Sequence, residues 1–183
     1  MDFSDQELVS EIRSGSAIAF ERLMNRHQNL VYRVAYGYTG DRESALDVTQ
    51  ETFLKVHTRL RSFRGTGEVK SWIVRIATNE ARNRGRTERR HPTLALDEAS
   101  FRDPAPSAEE TRVRESRERA LERSLATLRP RHRLAVVLRY YGNLSPREIA
   151  PLLECSEARA RNMLFRSLKK LRSVLTENEE YVR

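Results

Sequence analysis

The chain has a single cysteine, Cys155, in 183 residues, so no internal disulfide can staple it, and this usage fits a reducing compartment. Glycine is scarce at seven residues, and no Gly-rich loop is present to cradle phosphates, which argues against a nucleotide-dependent enzyme. No stretch approaches the ~18 consecutive apolar residues of a membrane-spanning helix. The N-terminal MDFSDQELVS is acidic and lacks the basic-then-apolar layout of a signal peptide. The four histidines (His27, His57, His91 and His132) are scattered, without metal-ligand spacing around Cys155, so no metal or other cofactor is expected. Positive charge is what abounds. Lys+Arg number 34 against 26 Asp+Glu, giving +8 and a pI near 10.1, a balance that favours a polyanion partner through counterion release at phosphates.

Apolar spacing is helical throughout, and no segment alternates as a strand does. Ser4 and Glu7 form a capping box that opens a short helix with Leu8 and Ile12 inward, broken at Ser14-Gly15-Ser16. A longer helix follows with Phe20, Leu23, Met24, His27, Leu30, Val31 and Val34 on one side, ending between Gly37 and Asp41.

Two helices of opposite surface chemistry come next. In DVTQETFLKVHTRL (47–60) and the residues just before it, Ala45, Val48, Thr49, Thr52, Val56 and Leu60 fall on one side and read as the buried stripe. Asp47, Gln50, Glu51 and Thr58 fall opposite, with Leu54 among them. That pattern is either a solvated face with one stray leucine or a protein-docking patch with an apolar centre and a polar rim. Beyond the loop from Arg61 to Gly67, residues 68–90 bury Val69, Trp72, Ile73, Ile76 and Ala77, while Arg75, Thr78, Asn79, Arg82 and Arg86 follow on another face. Five arginines against Glu88 alone between Arg82 and Arg90 point to nucleic acid, because arginine and asparagine contact phosphates and base edges. The two faces read as adjacent surfaces, one for a protein and one for nucleic acid, so that one bound partner positions the other.

From His91 to Glu110 there are three prolines and no periodicity, and from Asp97 five acids stand against one arginine. This reads as a flexible acidic linker, either a solvated spacer or a segment whose charge mimics or avoids nucleic acid. Thr111 to Leu128 reads as a charged helix, and Pro130 restarts the chain into a helix with Leu134, Val137 and Leu138 inward. Ser145-Pro146-Arg147-Glu148 then combines a capping box with proline at the first helical position. A two-turn helix, the turn Glu154-Cys155-Ser156 and a basic helix capped by Ser156 read as a helix-turn-helix. Ala160, Leu164, Leu168 and Leu171 are expected to pack inward, with Arg159, Arg161, Asn162 and Arg166 outward. A basic helix on a purely structural bundle is the alternative.

Taken in order, DVTQETFLKV, SFRG, SWIVRIATNEARN, the linker and LSPREIAPLLECSEARARNMLFRSLKKLR resemble a bacterial RNA polymerase sigma factor of the extracytoplasmic-function (ECF) group of the sigma-70 family. The resemblance runs from about Ala19 to Leu175. It implies an all-α fold of two small helical domains joined by a flexible acidic linker. Residues 1–90 would be region 2, 91–115 the linker and 116–183 region 4 with its helix-turn-helix. It also implies a non-catalytic, cytoplasmic protein that binds core RNA polymerase and directs promoter-specific initiation, with no membrane insertion and a monomeric state away from polymerase. An anti-sigma factor is a further partner that the resemblance implies.

Residue by residue, the resemblance assigns polymerase docking to Asp47, Gln50, Glu51, Leu54 and Thr58. It assigns Phe63, Arg64 and Asn79 to a flipped base of the −10 element, with Arg75, Arg82, Asn83 and Arg86 on adjacent DNA. Arg159, Arg161, Asn162, Phe165 and Arg166 fall to the −35 element. The linker would thread toward the polymerase active centre and the RNA exit path. Three departures bear on −35 preference: Glu154 stands where the turn usually has a small residue, Pro151 interrupts the first helix of the motif, and Met163 replaces a frequent arginine. Cys155 reads as a small apolar residue in the turn and has no partner cysteine for redox chemistry. Two other classes remain open on residues alone. A free-standing helix-turn-helix regulator leaves the Leu54 face unexplained, and a nucleic-acid-processing enzyme lacks clustered metal carboxylates.

Overall fold

The computed structural model describes residues 3–63, 68–88, 121 and 123–177, and the described residues form helices and turns without a strand. The expected linker over 91–115, most of the charged helix expected after it, and Arg64 lie outside the described residues, as does the side chain of Arg86.

Helix α1 (Asp5–Arg13) starts on the capping box: Glu7 N–H donates to Ser4 Oγ at 3.3 Å, and Ser4 N–H donates to Glu7 Oε2 at 2.7 Å. Helix α2 (Ala17–Thr39) is capped by Ser16 and ends at Gly40, whose φ of +76° places it in the left-handed region. Its end therefore falls within the expected Gly37–Asp41 stretch, and Gly37 itself serves a helix crossing. Asp41 accepts from Ser44 N–H at 2.7 Å and opens α3 (Arg42–Arg59), which tightens into a 3-10 turn over Leu60–Ser62. Helix α4 (Val69–Glu88) completes a bundle in which α2 packs against α1, α3 and α4 around Leu23, Val31, Val34, Val56 and Ile73.

The second unit comprises α5 (Pro130–Tyr140), α6 (Pro146–Leu152) and α7 (Glu157–Glu177), closed around Leu134, Leu138, Ile149, Leu153 and Ala160. Pro at the first position starts both α5 and α6, where its missing N–H costs nothing.

The two units pack on one another. Helix α5 crosses α2 at Gly37, where a Cβ would come within 3.0 Å of Val137 Cγ2, so the absent side chain permits the approach. Arg133, on α5 and only 7% exposed, reaches across to the end of α2: its Nε donates to Gly37 O at 2.7 Å and Nη2 lies 3.5 Å from Tyr38 O. The Arg33 guanidinium sits 4.3 Å from the Tyr141 ring centroid, a cation–π contact beside the same crossing.

Candidate protein and nucleic-acid interfaces

Helix α3 presents Gln50, Glu51, Leu54 and Thr58 to solvent. Leu54 is 63% exposed, and Thr58 ties its hydroxyl back to Leu54 O at 3.1 Å, leaving an apolar knob in a polar surround. Phe53, beside it in sequence, points into the core. Asp47 is only half exposed and pairs with Arg84 of α4 at 2.9 Å, and Lys55 pairs with Glu80. Ion pairs thus stitch the acidic face of α3 to the basic face of α4 at two points along their length.

On α4, Arg75, Asn79 and Asn83 are exposed. Thr78 is not. It is fully buried, contrary to the expected outer-face position, because α4 packs against α1, α2, α3 and α6 and so buries an arc wider than one stripe. Its Oγ1 has no hydrogen-bond partner among the described residues. Arg82 is half-buried and forms an ion pair with Glu154 of the helix-turn-helix turn. Phe63 is partly buried, its ring 5.2 Å from that of Trp72 and its carbonyl accepting from Arg13. The two rings meet at a tilt of 44° rather than stacking.

The helix-turn-helix begins on a second capping box: Glu148 N–H donates to Ser145 Oγ at 3.3 Å, and Ser145 N–H donates to Glu148 Oε2 at 2.8 Å. Hydrogen bonds from the Ser145 hydroxyl and backbone hold the Glu148 carboxyl below its ordinary pKa. Pro151 lies inside α6, one residue before its end at Leu152, and has no N–H to donate to the carbonyl four residues earlier. Arg131 clamps the turn by donating to Leu153 O, and the half-buried Cys155 donates its N–H to Ala150 O at 3.0 Å. Glu154 sits at φ +47°, a left-handed conformation costly for a residue with a Cβ.

Ser156 accepts from Arg159 N–H at 3.3 Å and starts α7. Arg159, Arg161, Asn162, Phe165 and Arg166 are all exposed, Phe165 by 69%, and Arg161 pairs with Glu157 one turn back. Met163, Leu164 and Leu171 are buried, but Leu168 is left partly exposed rather than inward, at the edge of the arc that α5 and α6 cover.

Arg133, Arg84 and the basic start of α5 did not stand out by spacing. The run Arg129-Pro130-Arg131-His132-Arg133 is the signal that could have found the last of these. Among the described residues there is no group of three metal-ligating side chains, and no helix is long and apolar enough to cross a membrane.

Comparison with known proteins matches the sigma-70 region 2 family to residues 23–91 and the sigma-70 region 4 family to residues 118–171. The chain is 30% identical over 180 residues to the RNA polymerase sigma-H factor of Pseudomonas aeruginosa, covering 93% of each chain. It is 30% identical over 174 residues to the ECF RNA polymerase sigma-E factor of Haemophilus influenzae, covering 90% of this chain and 91% of that one. Its fold is similar to that of the sigma factor RpoE of Bartonella quintana, solved in complex with the anti-sigma factor NepR. That match has a TM-score of 0.65 over 86% of this chain and 96% of the other, at 18% identity.

Proposed function

Because the chain belongs to the extracytoplasmic-function group of the sigma-70 family and is a sigma factor directing promoter-specific transcription initiation, we propose that its three exposed faces divide that task. Leu54, rimmed by Asp47, Gln50, Glu51 and Thr58, docks on core RNA polymerase. Arg75, Asn79, Arg82 and Asn83 of α4, with Phe63, Arg64 and Arg86, open and hold the −10 element. Arg159, Arg161, Asn162, Phe165 and Arg166 of α7 read the −35 element from the major groove. The division of the chain is 1–90 for region 2, 91–115 for the linker and 116–183 for region 4.

The observation that carries this reading is the exposed Leu54 on α3, held by ion pairs beside the Arg/Asn face of α4. A helix-turn-helix protein acting on DNA alone has no use for such a patch. The chain supplies no catalysis, since phosphoryl transfer belongs to the core enzyme. It works in the cytoplasm and is a monomer until it meets polymerase. The same surfaces are those an anti-sigma factor would cover, as one is bound to the Bartonella quintana protein.

Run-off transcription with core polymerase is the test. Adding the purified chain should yield transcripts from specific start sites that core alone does not produce. A chain that binds promoter DNA tightly by itself and adds nothing to core initiation would overturn the reading.

A further inference from the structure

Between the start of α5 and the exposed side of α7 lies a cleft of about 470 Å³. Arg129, which precedes α5, and His132 on it line one side, and Arg159, Asn162 and Arg166 line the other from α7. None of the residues lining it is a carboxylate, so the cleft concentrates positive charge without an internal counterion.

The hydrogen bonds of His132 fix its tautomer. Ser167 Oγ lies 2.7 Å from Met163 O and spends its only hydrogen there. At 3.1 Å from His132 Nδ1, that same Oγ therefore accepts, and Nδ1 carries the ring proton. In the neutral imidazole Nε2 is then an acceptor, on the ring edge not committed to Ser167. An acceptor among arginine donors is well matched until an anion enters, when two acceptors face each other and only a protonated ring can donate.

Burial, and then the charges of Arg129, Arg166, Arg131 and Lys170, hold the His132 pKa below the ordinary imidazole value. These cations come from both helices that flank the ring. An anion in the cleft reverses the balance, because protonated Nε2 becomes a donor to it and its charge offsets the arginines.

We propose that this cleft is a binding site for one backbone phosphodiester of the −35 duplex, and that His132 takes up a proton as the phosphate enters. The proposal rests on the assignment of α7 to the −35 element, because Arg159, Asn162 and Arg166 belong to both surfaces. A phosphodiester remains a monoanion across the neutral range, so proton uptake on binding belongs to the protein. Promoter affinity then rises as pH falls, by at most about tenfold per pH unit for one linked proton.

The test uses the full chain assembled on core polymerase, with a promoter fragment recovered from mapped transcription starts, at about pH 6 and about pH 8. Wild type is compared with His132→Asn, whose amide N–H can still reach Ser167, and with His132→Gln. Thermal melting confirms that both variants fold. Wild type should gain several-fold more affinity than either variant on going to the lower pH. Neutral methylphosphonate at one backbone position of the −35 duplex should erase that extra gain. Equal pH dependence in wild type and variants overturns the proposal while leaving −35 recognition intact. A gain that no methylphosphonate position removes, but that added inorganic phosphate does, also overturns it and makes the cleft a free-phosphate site. If scrambling the −35 sequence leaves affinity unchanged, the assignment of α7 fails and this proposal fails with it.

Discussion

Arg133 Nε donates to the carbonyl of Gly37 at 2.7 Å, across 96 positions of sequence and between the two helical units. Gly37 and Tyr38 are in the last turn of α2, where backbone carbonyls have no partner within the helix. A guanidinium there satisfies orphan acceptors and sits favourably at the negative end of the helix dipole. Burial pulls the Arg133 pKa below its usual value, yet a guanidinium stays charged at any working pH.

Arg133→Ala should therefore lower unfolding stability by about 2–3 kcal/mol, from the loss of charge-assisted hydrogen bonds and the exposure of buried carbonyls. Arg133→Lys should recover only part of this, having no planar fork. Urea unfolding of both variants is the check, and a loss under about 0.5 kcal/mol for the alanine variant would mean the contact contributes nothing.

Gly40→Ala should destabilise by about 1–2 kcal/mol, since a Cβ is unfavourable at φ +76° and would lie 2.6 Å from Arg133 Nη2. The Arg133→Ala background would remove the second cost but not the first. A double-mutant cycle separates them, and full additivity would place the arginine elsewhere in solution.

Leu54→Glu should weaken core polymerase binding without altering the melting temperature, because Leu54 contributes little to the core of the chain. Retained affinity in a pull-down with purified core enzyme would reject the proposed docking face. For the −35 face, Arg161→Ala should cost about 1–3 kcal/mol if it reads a base edge. An equal loss on every DNA sequence would make Arg161 a phosphate contact instead.

His27 predicts the acid side of the stability profile. Its Nε2 lies 2.7 Å from Asp5 Oδ2, but burial outweighs that attraction and holds the pKa below 6.5. The unfolded chain binds the proton more readily, so the His27 contribution is whole above about pH 6.5 and is lost as pH falls through the folded value. His132 acts with the same sign. Thermal melts between about pH 7 and pH 5 should show a steeper decline for wild type than for His27→Gln. Parallel curves would show that the imidazole does not titrate in unfolding.

What the sequence made legible was local. Both capping boxes formed because serine and glutamate three apart need only each other and the backbone between them. Leu54 is exposed where a 100° wheel of α3 puts it, although the stripe read from that wheel left out the buried Phe53. The same wheel failed for Thr78, since four neighbouring helices widen the buried arc of α4 beyond any stripe that spacing shows. It was silent on Arg133, which no spacing within RHRLAVVLRY marks for burial. Its burial depends on a helix end that arrives from the other unit. Glu154 stood out as an unusual turn residue, but its partner Arg82 is 72 positions away in another helix and has no counterpart in local pattern.

The Arg82–Glu154 pair is too exposed to matter much to stability, Glu154 being 67% accessible. Its effect should appear instead in how promoter binding responds to salt. An arginine that meets a phosphate normally displaces condensed cations, which gives binding its dependence on ionic strength. Arg82 arrives already neutralised, and on taking a phosphate it leaves a carboxylate that gathers cations in turn. Glu154→Gln should therefore steepen the log–log salt dependence of promoter binding by about 0.7–0.9. An unchanged slope would remove Arg82 from the phosphate contacts. The chain carries its own competing ion for DNA, one that no dilution of the buffer removes.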